Sequence, residues 1–101
     1  MRESKIEAYL VKKVKAMGGE CRKLRWIGRN GAPDRVVMLR REITLLHGVL
    51  RTRGSPAIWV ELKATGKKPT AAQLREHLRM EKMGQRVEVI DSIEGVDKLL
   101  C

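Results

Sequence analysis

With 101 residues, the chain is long enough to bury one hydrophobic core, and we expect a single domain over residues 1–101. Its net charge of +10 and its 34% of charged residues predict a polyanionic partner, either nucleic acid or an anionic membrane surface. Because the sequence has no membrane-spanning apolar run, no signal-peptide core and only two cysteines, we expect a cytoplasmic, nucleic-acid-binding protein without disulfides or a zinc site.

The first half of the chain predicts one helix and two strands. A helix over residues 3–17 is indicated by apolar residues at helical spacing, and Gly18 and Gly19 follow it. The positions on that apolar face are Ile6, Leu10, Val14 and Met17. A short strand over 21–27, a loop rich in glycine over 28–33 and a buried strand over 34–39 come next.

The second half has one segment of weak pattern followed by clear elements. Residues 40–57 predict another strand plus a loop. The elements after it are a strand over 58–63, a helix over 71–83 with Leu74 and Leu78 on its apolar face, a strand over 86–90 and a short helix over 92–100. This order of elements predicts an α/β fold in which a mixed sheet is flanked by helices.

The positive charge is concentrated in the middle of the chain. Between residues 22 and 68 there are twelve Lys or Arg residues and three acids, a net charge of +9, whereas the rest is nearly balanced. This concentration is typical of a phosphate-binding surface. Of the three acids, Glu42 follows two arginines directly, and we expect it to form an ion pair with a nearby basic residue. No neighbouring pair of this kind explains why Asp34 and Glu61 lie in so basic a region.

Glu61 and Lys63 lie two residues apart on a predicted strand. Because side chains alternate along a strand, Trp59, Glu61 and Lys63 project from one face and Ile58, Val60 and Leu62 from the other. An acid and a lysine at this spacing are common, and a weak ion pair on an exposed strand face explains them by themselves.

Asp34 supplies a second carboxylate at the start of another predicted strand. It lies in the sequence GAPDR, which is also typical of a tight turn. Two carboxylates with a lysine beside them suit phosphodiester hydrolysis, because carboxylates bind Mg²⁺ or Mn²⁺ and a lysine can stabilise negative charge in the transition state. The pattern requires no organic cofactor.

GAPDR, VELK and the helix sequence TAAQLREHLRMEKMG together resemble the VRR-NUC family of the PD-(D/E)XK nuclease superfamily. The resemblance extends from the first helix to the strand RVEVI and implies a restriction-endonuclease-like fold. It implies that Asp34 and Glu61 bind the metal and that Lys63 is catalytic. The chain departs from the family pattern in its long basic stretch from Arg40 to Ala57, which separates the two acids and puts the topology between their strands in doubt.

The same resemblance assigns further site residues. It implies that the carbonyl of Leu62 and the carboxylate of Glu7 are further metal ligands. It also implies that Glu7, the acid of the first helix, and Gln73, the glutamine of the second, are catalytic residues. Both side chains also fit capping boxes, with Ser4 before Glu7 and Thr70 before Gln73. We expect Glu7 to lie inside its helix and face the cleft, whereas for Gln73 capping and function are equally favoured and compatible.

Other residues are candidates for nucleic-acid contacts. Basic clusters flank both acids, and we expect phosphate contacts from Arg25, Arg29, Arg35, Lys67 and Lys68. Trp26 and Trp59 can stack on nucleotides, although with so few aromatic residues a place in the core is favoured. His77 can approach the site from the second helix, although a solvent-facing or half-buried position is favoured.

The resemblance finally implies an activity. VRR-NUC proteins of this size are associated with homodimers that cut branched DNA, notably four-way (Holliday) junctions, in recombination and repair. We therefore expect a metal-dependent, homodimeric endodeoxyribonuclease of this kind. The alternatives are a nonspecific or flap-type nuclease and a basic nucleic-acid-binding module without catalysis.

Overall fold

The computed structural model of the chain describes residues 1–39, 42–53 and 57–101 and has three helices and six strands within them. In chain order these are α1 (Glu3–Ala16), β1 (Glu20–Lys23), β2 (Arg35–Met38), β3 (Glu42–Leu46), β4 (Val49–Arg53), β5 (Ile58–Leu62), α2 (Ala71–Lys82), β6 (Arg86–Ile90) and α3 (Ile93–Leu99). None of the helices in these residues is long and apolar enough to cross a bilayer.

Four of the strands form a mixed sheet in the order β1-β2-β5-β6. The β1–β2 and β2–β5 pairs are antiparallel, and the β5–β6 pair is parallel, with α2 as the crossover connection. The predicted fold class, a mixed sheet flanked by helices, is therefore confirmed. Strand β1 is shorter than predicted and ends at Lys23 instead of continuing to Ile27.

The segment of weak pattern contains a hairpin instead of the predicted single strand plus loop. Strands β3 and β4 pair as a separate two-stranded sheet. His47 and Gly48 connect them, both at positive φ (51° and 76°), as two-residue hairpin turns require. Since β2 and β5 are neighbours in the main sheet, the hairpin is an excursion in the connection between them, and it resolves the doubt about the topology between the two acids.

The hydrophobic core lies between the sheet and the first and last helices. Ile6, Leu10 and Val14 of α1 are fully buried, as the helical spacing predicts, and they pack in one cluster with alternate residues of β5. The β5 members are Ile58, Val60 and Leu62. Burial of these aliphatic side chains stabilises the fold by about 1.5–3 kcal/mol each. At the surface, Lys13 binds Asp97 at 2.6 Å and ties α1 to α3.

Helix α2 covers the opposite face of the sheet, and its buried residues are polar. Glu76 and His77 are 2% and 4% exposed, whereas Leu74 and Leu78 are 55% and 53% exposed. The prediction that the two leucines form the buried face of this helix is therefore wrong. Polar residues of α2 instead face β5, where Trp59 and Glu61 project.

Candidate active site

The pairing of β2 with β5 brings Asp34 and Glu61 together. Arg35 lies opposite Val60 in this antiparallel pair, and the same register continued by one residue places Asp34 opposite Glu61. Residues directly opposite each other in a sheet project from the same face with neighbouring Cβ atoms. Two acids that are 27 positions apart in the sequence thus share one site at the end of β5.

Glu61 is buried and Asp34 is half-buried, and each carboxylate has one buried oxygen atom without a partner in the described part of the chain. Glu61 is 5% exposed, so it is not part of an exposed ion pair on the strand surface. Asp34 Oδ1 and Glu61 Oε1 are buried without a hydrogen-bond partner among the described residues. Because an unsatisfied buried carboxylate oxygen costs free energy, the pair is poised to bind a cation or a donor group.

The site makes both carboxyl groups weaker acids than usual. Burial raises the pKa of Glu61 to about 7, the Asp34 carboxylate raises it further, and Lys63 opposes the rise. Burial also raises the pKa of Asp34, against backbone hydrogen bonds from its own amide and from Leu62. A strongly raised carboxyl pKa at a cleft between strands is typical of functional sites.

His77 is a third polar group at this position. Its Nε2 lies 3.6 Å from Glu61 Oε1 and is likewise buried without a hydrogen-bond partner in the described part of the chain. Burial lowers the pKa of His77, which favours the neutral imidazole. The expectation of a solvent-facing or half-buried histidine is therefore wrong. The sequence signal was its position one helical turn after Gln73.

The loop before β2 is fixed against α2 and thereby positions Asp34. Gly31 has φ +79°, and a Cβ there would lie 2.7 Å from the carbonyl oxygen of Ala72. Only glycine allows this close approach of loop and helix. Trp26 Nε1 also donates a hydrogen bond to the carbonyl of Pro33 at 2.6 Å, immediately before the acid.

Glu7 and Gln73 each had a possible capping role, and only Gln73 caps its helix. Glu7 lies within α1, which has Arg2 at its N-cap and no side-chain cap, so a capping box with Ser4 is wrong. Its Oε2 accepts a hydrogen bond from Arg35 Nε at 3.0 Å. Gln73 forms the complete capping box with Thr70, which confirms its structural role. Functional roles of Glu7 and Gln73 remain predictions.

The predicted phosphate contacts fall into two groups. Arg25, Lys67 and Lys68 have exposed side chains. The two other arginines are engaged: Arg35, only 14% exposed, pairs with Glu7, and Arg29, 53% exposed, pairs with the buried Glu76 at 2.9 Å. A phosphate can therefore reach the first three directly and Arg29 from its exposed side.

The carboxylate oxygens of the site suit a hard divalent cation that is bound by the protein on one side and by water or substrate on the other. Among the residues that the structure describes, no three His, Cys, Asp or Glu side chains are grouped to enclose a metal ion. Mg²⁺ is usually held by one or two carboxylates and completes its octahedral coordination with water and substrate phosphate. The free oxygens of Asp34 and Glu61 meet that requirement.

Comparisons with known proteins give the family. The chain is 41% identical over 92 residues to "Putative nuclease p44" of Acyrthosiphon pisum secondary endosymbiont phage 1, which covers 91% of this chain and 85% of the relative. A solved structure described as a VRR_NUC domain matches 97% of this chain and 92% of its own, with a TM-score of 0.74 and 38% identity. The chain belongs to the VRR-NUC family. No family model matches its sequence.

Membership of the VRR-NUC family confirms the resemblance based on GAPDR, VELK and the following helix. The three segments are distant in the sequence, yet β2, β5 and α2 bring them to one place in the structure. The VRR-NUC chain thus combines the fold of its family with two neighbouring carboxylates, one buried and one half-buried, in the segments that carry the resemblance.

The raised pKa of Glu61 predicts a pH-dependent stability of the metal-free VRR-NUC protein. The pKa of the Glu61 carboxyl is about 7 in the folded state, above its ordinary 4.5, so the folded state binds the proton more tightly than the unfolded state. The stabilisation from this proton is fully present below about pH 4.5 and is lost as the pH rises through 7. Glu61→Gln cannot ionise and should stabilise the protein by about 1–3 kcal/mol at about pH 8, but not at about pH 5.

Thermal unfolding with a chelator at both pH values measures this effect. Glu94→Gln, on the exposed surface of α3, is the matched control and should retain the pH dependence of the parent protein. Equal melting temperatures of Glu61→Gln and the parent at the higher pH would contradict the buried, proton-binding carboxyl.

Proposed function

We propose that this VRR-NUC protein is a metal-dependent endonuclease that hydrolyses phosphodiester bonds of DNA. The observation that carries the proposal is the pair of neighbouring carboxylates, the half-buried Asp34 and the buried Glu61, each with a buried oxygen atom that has no partner among the described residues. They lie beside Lys63 in a chain of net charge +10. Both acids lie where the family pattern has its metal ligands. The likeness to a nuclease-named relative and a VRR_NUC structure supports the same activity.

Each residue of the proposed site has a chemical task. Asp34, Glu61 and the carbonyl of Leu62 would hold Mg²⁺ or Mn²⁺, which supplies Lewis-acid polarisation of the phosphate and lowers the pKa of water. Glu61 must lose its proton before it can bind a cation. Lys63 would orient the attacking water or stabilise negative charge on the phosphate in the transition state.

The remaining predicted residues would support this centre. Glu7, inside α1, accepts a hydrogen bond from Arg35 and would act as a further catalytic acid and metal ligand of the site. Gln73 caps α2 and would contact substrate or water from there. His77 would fix the Glu61 carboxylate, since the two groups contact each other at 3.6 Å.

DNA would be bound by the exposed basic residues around the carboxylates. Arg25 precedes the loop before Asp34 and Arg29 lies in it, and Lys67 and Lys68 follow the strand that carries Glu61. Arg35 is committed to Glu7, so its expected phosphate contact is not part of the proposal. These contacts would provide affinity without reading the sequence of the DNA.

Branched DNA, such as a four-way junction, is the proposed substrate, and a homodimer is the proposed active form. Two sites related by a two-fold axis suit symmetric cuts in a four-armed substrate. The family resemblance supports this assignment. A nonspecific or flap-type nuclease is the alternative with the same site.

A binding module without catalysis is the alternative from another class. It explains the net charge equally well. It leaves unexplained why two carboxylates, one buried and one half-buried, lie side by side among basic residues, where they repel phosphate unless a cation lies between them.

A cleavage assay tests the proposal directly. Labelled four-way junction and linear duplex of the same sequence are incubated with the protein and Mg²⁺ or Mn²⁺, and in parallel with a chelator. We expect metal-dependent cutting of the junction and little cutting of the duplex. Binding without metal-dependent cutting would contradict the enzyme, and equal cutting of both substrates would contradict the junction preference.

A further inference from the structure

A cavity lies between β5 and α2, on the face of the sheet from which Glu61 projects. It has a volume of about 340 Å³, and its walls include Trp26, Trp59, Arg29, Arg79 and Met80. Asp34 and Glu61 do not line it, so it is distinct from the carboxylate site. The size of the cavity is sufficient for one nucleobase.

Three links connect this cavity to the carboxylates. Trp59 projects from the same face of β5 as Glu61, two residues earlier. Trp26 donates to the carbonyl of Pro33, the residue before Asp34. Glu76, in the cavity wall, adjoins His77 in α2. A ligand in the cavity is therefore a near neighbour of a phosphate at the carboxylates.

The aromatic walls are held rigidly and are still accessible. The two indole rings lie 5.5 Å apart at an angle of 54°. Each indole N–H is occupied, that of Trp26 by the Pro33 carbonyl and that of Trp59 by Gln85 Oε1 at 2.8 Å. Trp26 nevertheless remains 37% exposed. The favoured assignment of Trp26 to the core is therefore wrong, and part of its side chain is accessible to a ligand.

One wall of the cavity carries a positive charge from two arginines that are held in place by Glu76. Arg29 and Arg79 each contact Glu76 through Nε at 2.9 Å, and both remain 53% exposed. Burial acts to raise the pKa of Glu76, but hydrogen bonds and charges from the two arginines lower it overall. Two guanidinium groups around one buried carboxylate leave a net charge of +1, which suits the phosphate of a nucleotide whose base enters the cavity.

We infer that this cavity binds one unstacked nucleotide of the DNA strand next to the carboxylates, by stacking its base on tryptophan and pairing its phosphate with arginine. The inference rests on the proposed nuclease function and narrows its substrate class to DNA with an unpaired or easily opened nucleotide. A base in a continuous duplex is stacked on both faces and must be opened before it can enter, whereas one in a single strand or at a branch point is opened at a lower cost.

The tryptophan fluorescence of the protein, excited where tyrosine does not absorb, reports on this cavity alone. The chain has two tryptophans, and both line the cavity. The full-length protein is titrated, in the presence of a chelator, with a short oligothymidylate single strand and with a blunt duplex that are both end-labelled. Label anisotropy measures binding, and tryptophan fluorescence measures stacking. The single strand should quench the tryptophans, and the duplex should bind without quenching them.

Variants separate stacking from structural effects. Trp26→Leu should weaken binding of the single strand about tenfold, the magnitude of one lost stacking contact, and leave duplex binding unchanged. Trp26→Phe retains a stacking face without the N–H and should keep most of the affinity. Arg79→Gln should weaken single-strand binding more than Arg86→Gln, a matched change in the exposed Arg86–Glu88 pair outside the cavity.

Defined results would overturn the inference. They are equal quenching by duplex and single strand, binding of the single strand without quenching, or equal losses in Trp26→Phe and Trp26→Leu. Because all these measurements are made with a chelator, they do not depend on cleavage. A protein that binds the single strand in the cavity but cuts no DNA would contradict the proposed function and leave this inference intact.

Discussion

Glu61→Gln and Asp34→Asn should each abolish DNA cleavage while DNA binding is retained or becomes tighter. Glu61 on β5 is buried, and the half-buried Asp34 lies opposite it, immediately before β2, so an amide in either place removes a proposed metal ligand. We expect the cleavage rate to fall about a thousandfold or more, since metal binding contributes several kcal/mol to transition-state stabilisation. Binding should not weaken, because each change removes a negative charge that repels phosphate.

Two measurements on the same variants separate the two effects. Cleavage of labelled four-way junction is followed in Mg²⁺, and the dissociation constant for the same DNA is measured with a chelator. Glu94→Gln makes the same chemical change on the exposed face of α3 and should keep the cleavage rate of the parent. Retained cleavage in Glu61→Gln or Asp34→Asn would place the active site elsewhere in the chain.

The sequence was sufficient to predict the elements that carry the two acids. The alternation Ile58, Val60, Leu62 is apolar and is buried as expected, so the orientation of Glu61 toward the other face followed from strand geometry. The pairing of β2 with β5 could not be obtained in this way, because local patterns contain no information on which distant strands are neighbours. The register that places Asp34 opposite Glu61 is a property of the folded sheet.

The burial of the site was missed because α2 reverses the usual pattern. Hydrophobic periodicity finds the buried face of a helix by its apolar residues, and here it indicated Leu74 and Leu78. Those residues are exposed, and Glu76 and His77 are buried. The inward face of α2 is polar because it covers polar groups, with His77 against Glu61 and Glu76 between two arginines. Hydrophobic periodicity therefore fails to find the buried face of a helix where that face covers the polar groups of a site.

The hairpin was missed for a local reason. Two-residue hairpin turns are recognised by Asn-Gly or Asp-Gly, whose residues adopt positive φ readily. Here His47 takes the first position with φ 51°, a conformation uncommon for residues other than glycine. The capping box of Gln73, in contrast, depends on two residues only three positions apart, and the capping role that the sequence indicated for it is confirmed.

Lys63→Ala should lower the rate of cleavage more than it lowers the affinity for DNA. Lys63 follows β5 directly, and its charge is near enough to Glu61 to oppose the rise of that pKa. A group that stabilises charge only in the transition state affects turnover, whereas a group that holds the bound phosphate affects binding. We expect a loss of about 100- to 1,000-fold in the single-turnover rate, as for removal of one preorganised donor.

The comparison with Lys67→Ala makes this test specific. Lys67 is an exposed lysine in the turn that follows the same strand, and we propose that it binds phosphate. Its removal should weaken binding of junction DNA by a small factor and leave the single-turnover rate at saturating protein unchanged. If Lys63→Ala behaves in the same way, with weaker binding and a normal rate, Lys63 is a phosphate contact. Its place in the family pattern would then not reflect a catalytic role in this chain.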